Sequence, residues 1–386
     1  MAKAQYEKLF TPIVLNNGVT IDNHLAVAPV THFCANPDGT LSDEEREYLR
    51  DRARDFGIYV FAATLVERTG KAFVGEPYAL TENDLPSLAE RARIIKDAGA
   101  KAVMQLHHGG FRALPAEVPD GKVYSVDEIR TEEIRSYIAQ TSGPDPKVYV
   151  LTDEHIRAII NGFAKAAELA IRAGWDGVEI HGANNYLNQQ FYSPATNKRS
   201  DSWGGSLENR MKFHLAVIDA VVKAKERFGR PEFIIGCRIS PEEPFEDGIT
   251  MTDTLALIGA LNEKPLQYVH ISLHDFFSHN RRGASPSKMR LETIHDAFSG
   301  SSIALMGVGG LQTADDVLRA YDTGTVDFVA VARANMVNRY FARLIKDGRE
   351  DQIETAFHES RIKEYGLPKY LWEVVRRGGW LPPLIK

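Results

Sequence analysis

The chain has 386 residues, 44% hydrophobic and 25% charged, with a net charge of −6. That length suits one large α/β barrel or two average domains, and the negative balance gives no electrostatic case for nucleic acid or an anionic membrane. No apolar run reaches bilayer-spanning length and Met1 to Glu7 lack a signal-peptide core, so a cytoplasmic protein is expected. Cys34 and Cys237, far apart, suggest neither a disulfide framework nor a Cys-rich metal site.

In chain order, Asn23 to Val30 reads as an apolar strand reaching Pro29, with Thr31 directly after it. Ser42, with Glu45 three residues later, opens a helix expected to run to Phe56–Gly57 and to feed a strand ending at Ala62. A unit then repeats, in which a helix ends in glycine and a short strand follows. It recurs at Gly99 into Ala102–Leu106, Gly174 into Gly177–Ile180, and Gly324 into Asp327–Val331. Further strands are Phe233–Ile239, Tyr268–Ser272 and Ile303–Gly307. Eight short apolar strands alternating with helices predict a (β/α)8 TIM barrel, one domain over residues 1–386. Residues 107–150, rich in Pro, Gly and charge, read as a surface excursion, with a lid over the site as the other reading. The tail from Tyr365 to Pro383 is too hydrophobic for a free end. It either packs on the barrel or contacts a second subunit, which leaves a homo-oligomer open.

In a parallel barrel, the residues at the carboxyl ends of the strands face one cavity. These are Thr31, Ala62, Gln105, His107–His108, His181, Arg238, Ser272, Gly309–Gly310 and Ala332–Arg333. His181 and Asn184 are three apart, so one turn can aim both at a single oxygen and form a neutral oxyanion site. Tyr186 adds a phenolic proton for general-acid work. Taken singly, each has a plainer reading: a satisfied structural histidine, a turn asparagine, an aromatic wall. Arg238 ends an apolar strand, where a buried cation needs an anionic partner. Gly309–Gly310, the helix starting near Thr313, and Arg333 suit a phosphate after the seventh and eighth strands. Adjacent strand residues point to opposite faces, so His107 and His108 are not expected to share one metal, and no metal site is expected.

The string HGANNYLNQQFYSP, followed by NKRSDSWGGSLENR, resembles the signature of the old yellow enzyme family of FMN-dependent ene-reductases. The resemblance implies FMN as cofactor, NADH or NADPH as reductant, and ping-pong hydride transfer to a small electrophilic alkene or quinone. It implies that His181 and Asn184 hold the substrate oxygen while Tyr186 protonates carbon. It places Arg238, within Gly236-Cys237-Arg238-Ile239-Ser240, beside flavin N1 and O2, Gln105 at the pyrimidine edge and Thr31 near O4. Pro29, Ala62, Gly309, Gly310, Ala332 and Arg333 complete the implied cofactor contacts. Two residues depart from the pattern. Ala332 stands where the family usually has glycine, so a narrower phosphate loop is expected, and Phe33 stands where bacterial relatives often have tyrosine. The four clustered cysteines of the larger dienoyl-CoA reductase type are missing. Two rival readings stay open: a flavin-binding or quinone-sensing barrel with poor turnover, and a non-flavin barrel lyase.

Overall fold

The computed structural model describes residues 1–129, 132–142 and 147–386. Eight parallel strands close into a barrel in chain order: β1 (Leu25–Val27), β2 (Ile58–Leu65), β3 (Lys101–His107), β4 (Gly177–Gly182), β5 (Ile234–Ile239), β6 (Tyr268–Ser272), β7 (Ala304–Val308) and β8 (Phe328–Val331). β8 pairs back onto β1 through Val329 with Leu25 and Val331 with Val27. Alternation along each strand divides the core in two. Ala26, Ile58, Val60, Val103, Ile234, Tyr268, Met306, Phe328 and Ala330 fill the lumen. Their neighbours, among them Tyr59, Phe61, Met104, Val178, Ile235, Val269 and Val329, face the helical layer. Gly236 is a packing requirement, because a Cβ there would lie 2.1 Å from the Tyr268 ring. The antiparallel pair Ile13–Val14 and Thr20–Ile21 closes the amino-terminal end, where Leu15 and Ile21 join the lumen cluster.

Several boundaries differ from the sequence expectation, among them the first strand, which covers only Leu25–Val27. The second strand does not end at Ala62 but continues to Leu65, with a register shift between Phe61 and Thr64. Ala62 therefore lies inside β2, buried at the bulge, with the Thr64 hydroxyl donating to its carbonyl at 2.9 Å. The helix opened by Ser42 covers only Asp43–Leu49, because Arg50 leaves helical angles and Asp51 and Asp55 adopt positive φ.

The excursion after β3 is a packed substructure. Val123–Ser125 pairs in parallel with Val148–Val150, and the helix Glu132–Ser142 lies between them in sequence. Phe111, Val123, Ile134 and Ile138 form a small core with Ala195, which ties the excursion to the segment that follows β4. Residues 130–131 and 143–146 of that expectation lie outside the described residues. The tail packs on its own barrel. Leu371, Trp372 and Val375 of the helix Lys369–Arg377 are buried, and Trp372 meets Phe357 edge-on at 5.5 Å. Tyr370 and Trp380 stay exposed. Among the described residues no helix is long and apolar enough to cross a membrane.

Candidate active site at the strand ends

Polar residues of the lumen face gather in β3 to β6. Period two puts Gln105 with His107, Glu179 with His181, and Tyr268 with His270 and Ser272 on that face. Glu179 is their floor. Its Oε1 accepts from Gln105 Nε2 at 2.7 Å, and its Oε2 accepts from Tyr268 Oη at 3.0 Å and from His270 Nδ1 at 2.9 Å. Burial alone would push this carboxyl up, but His270, the Arg238 charge and the Gln105 amide more than offset it, and the net direction is down. His270 is itself lowered, chiefly by burial, so the 2.9 Å contact is a neutral imidazole N–H on a carboxylate rather than an ion pair. Glu179, Tyr268 and His270 were absent from the expected site. Their signal is a polar residue at every second position of an otherwise apolar strand.

Above the floor, a chain of hydrogen bonds joins two expected residues. Arg238 Nη2 donates to Ser272 Oγ at 3.0 Å, so the serine proton goes to Asn184 Oδ1 at 2.9 Å. That fixes the amide, with its Nδ2 hydrogens turned away from Ser272. Asn184 and Asn185 both have positive φ, 56° and 59°, a conformation asparagine tolerates better than most residues. The turn is pinned by Ser240 Oγ on Asn184 N and by Arg112 Nη1 on Asn184 O. His181 is buried, and its Nδ1 accepts from Ala183 N at 3.3 Å, which leaves its proton on Nε2. Burial first, then the charges of His107 and Arg238, hold His181 well below the ordinary histidine value, so it is a neutral donor. Tyr186 meets His181 edge-on at 5.0 Å and His107 at 4.4 Å, with the Arg112 guanidinium 4.4 Å over its ring. The structure thus brings Gln105, His181, Asn184, Tyr186 and Arg238 together. His108 points away toward Glu67 and Thr69, as the alternation requires.

The remaining expected residues form a second group. Gly309 and Gly310 directly follow β7. Gly309 packs so closely on the 275–276 backbone that a Cβ would lie 2.5 Å from Phe276 N, and Gly310 has φ +69°. Ala332 and Arg333 directly follow β8, and Arg333 Nη1 donates to Trp380 O at 3.3 Å. Ala332 has φ −120° and ψ −75°. Pro29 and Thr31 lie half-buried just past β1. Phe33, at φ 58°, is held between Phe73 and Tyr370. The donor set fits an anionic, hydrogen-bonding heterocycle with a phosphate. Arg238 is buried with its Nε unpartnered among the described residues, and a buried N–H in that state needs an acceptor. A cleft of about 290 Å³ beside Leu65, Arg68, Lys71 and Tyr78 lies against the excursion and includes none of the expected site residues.

The barrel, the neutral His181 and Asn184 donors, the Tyr186 phenol and the buried Arg238 suit a flavin-dependent oxidoreductase. The comparisons agree. Residues 8–352 match the NADH:flavin oxidoreductase / NADH oxidase family. The chain is 41% identical over 379 residues to a probable NADH-dependent flavin oxidoreductase, YqiG, of Bacillus subtilis (strain 168), covering 98% of each. It is 27% identical over 345 residues to a probable flavin mononucleotide-dependent alkene reductase of Leishmania infantum, covering 87% of this chain and 90% of that one. Among solved structures, morphinone reductase superposes with a TM-score of 0.73 at 26% identity, covering 88% of this chain and 89% of that one. The chain belongs to the NADH:flavin oxidoreductase family, the old yellow enzyme family, with FMN as cofactor and a nicotinamide as reductant. That removes the non-flavin lyase reading.

Proposed function

We propose that the protein reduces the activated C=C bonds of enones and nitroalkenes, and quinones, with electrons from NADH or NADPH. The observation that carries this reading is the donor pair. His181 is neutral with its proton on Nε2, and the Asn184 amide is oriented by Ser272 with its hydrogens available. Two neutral donors can hold a carbonyl, nitro or phenolate oxygen and draw electron density from a conjugated double bond. The names of the Leishmania alkene reductase and of morphinone reductase support the same class of substrate.

Bound FMN would supply the redox chemistry that links the nicotinamide to the β carbon of the alkene. Arg238, Gln105, Thr31, Pro29 and Ala62 would hold its ring, and Gly309, Gly310, Ala332 and Arg333 its phosphate. Arg238 would stabilise negative charge at the pyrimidine edge, while Glu179 holds the Gln105 amide in place. Tyr186 is the proton donor to the α carbon, buried and edge-on to the His181 ring. Arg112, at the start of the excursion, covers the Tyr186 ring, which supports the excursion as a cover over the site. Titrating the oxidised holoprotein with a phenol tests the donor pair. His181→Ala and Asn184→Ala should each weaken binding by roughly 10-fold or more. Unchanged affinity in both would make the pair structural.

A further inference from the structure

Two turns meet at Tyr186. The turn after β4 carries Asn184, Asn185 and Tyr186, and the turn after β3, Gly110–Arg112, opens the excursion. Gln190 is fully buried and stitches the two together. Its Nε2 donates to Asn185 O at 2.8 Å and to Gly109 O at 3.0 Å, and its Oε1 accepts from Phe111 N at 3.2 Å. A further bond runs from Leu187 N to His108 O at 3.1 Å. Gly110 has φ +59°, and a Cβ there would strike the Gln190 amide. The turn after β3 is therefore held in close approach to the turn after β4.

The close approach brings a cation. Arg112 Nη1 donates to Asn184 O at 2.7 Å, and its Cζ lies 4.4 Å from the centre of the Tyr186 ring. A guanidinium keeps its charge at any working pH. Its field reaches the site: after burial, His107 and Arg238, Arg112 is among the causes that hold His181 below its ordinary value. A cover needs only bulk, which an apolar side chain supplies. Charge over a phenol ring does more. When a phenol gives up its proton, negative charge spreads from the oxygen into the ring. A cation over the face is held more strongly as that charge develops, so it favours the transition state of proton transfer over the resting phenol.

We propose that the Arg112 charge promotes proton donation by Tyr186. The inference rests on the reading of Tyr186 as the proton donor. In that step the Tyr186 O–H bond breaks and its electron pair stays on the oxygen. A C–H bond forms at the α carbon with the electron pair that hydride addition at the β carbon has displaced there. Arg112 stabilises the phenolate until water returns the proton. It acts through the phenol, as a positioning residue, with Gln190 fixing the distance between them.

The test is a double-mutant cycle on the holoenzyme, read as stopped-flow reoxidation by cyclohexenone. Arg112→Met removes the charge and keeps an unbranched stem. It should slow that step by roughly 3–30-fold, the scale of a partly desolvated cation over an aromatic face, with reduction by NAD(P)H and reoxidation by a quinone unchanged. Arg112→Lys should recover most of the loss. In Tyr186→Phe, which has no proton to give, Arg112→Met should cost less than about 2-fold. Equal losses in wild type and in Tyr186→Phe would mean that Arg112 acts through its bond to Asn184, and no loss in wild type would make it a cover. Either result overturns the proposal, as does a lysine no better than methionine. If Tyr186→Phe alone leaves cyclohexenone reoxidation unchanged, the donor reading falls and takes the proposal with it, a result distinct from the others.

Discussion

Replacing Glu179 by glutamine removes the charge at the centre of the barrel while keeping its shape. The carboxylate accepts three donors, from Gln105, Tyr268 and His270. A glutamine can keep the two donors that converge on Oε2 by turning its carbonyl toward them, so one hydrogen bond is lost outright. The larger loss is electrostatic. Arg238 is buried, and Glu179 is the foremost charge that supports its protonation. Breaking a buried pair costs about 3–5 kcal/mol, and because Arg238 meets Glu179 through space the expected loss is near the lower end, about 3 kcal/mol. Glu179 is held below its unfolded value of 4.5. Its stabilisation is therefore fully present above that value and is lost as the pH falls through the folded value. Urea unfolding of wild-type and Glu179→Gln holoproteins at saturating FMN should differ by about 3 kcal/mol at pH 7. The difference should shrink only below pH 4.5, where wild type loses the contribution. A difference under about 1 kcal/mol at pH 7, or one that stays constant into acid, refutes the reasoning.

Three further outcomes are expected. Ser272→Ala frees the Asn184 amide, so phenol affinity should fall by roughly 3–10-fold with FMN retained; the loss of one neutral hydrogen bond sets that scale. Because His181 is held well below 6.5, phenol binding should show no break attributable to it between pH 6 and 8; a break in that range that disappears in His181→Ala contradicts the neutral donor. Arg333→Ala should raise the FMN dissociation constant by roughly 10–100-fold, measured by flavin fluorescence, and an unchanged constant places the phosphate elsewhere.

The barrel was legible because its strands are short apolar runs, several of them after a helix-ending glycine, a signal that needs no tertiary information. The end of β2 was not, since the bulge between Phe61 and Thr64 is a property of pairing with β3 and leaves no mark in the residue types. His181, Asn184 and Tyr186 could be read from one contiguous string. Glu179 and His270 were equally visible as polar residues inside apolar strands, but their meeting depends on closing β4 and β6 around one lumen, 91 residues apart in sequence. The pairing of Glu76 with His107 is likewise set by how the segment after β2 folds over β3. In each case the residue type was in plain view and the partner was supplied by topology. The link from Arg238 through Ser272 to Asn184 joins three strand ends and could not have been read from any single motif.

The central claim is that these side chains hold an alkene by its oxygen and protonate it, and Tyr186→Phe tests it most directly, because the change keeps the ring and removes only the proton. Stopped-flow traces separate the two half-reactions. Reduction of the bound flavin by NAD(P)H should proceed at close to the wild-type rate, and reoxidation by a quinone, which needs no carbon protonation, should be preserved. Reoxidation by cyclohexenone should slow by roughly 10²–10⁴-fold, the range for loss of a general acid. Equal slowing of both half-reactions would make Tyr186 a packing residue, and an unchanged rate with cyclohexenone would contradict the assignment of the proton to this phenol.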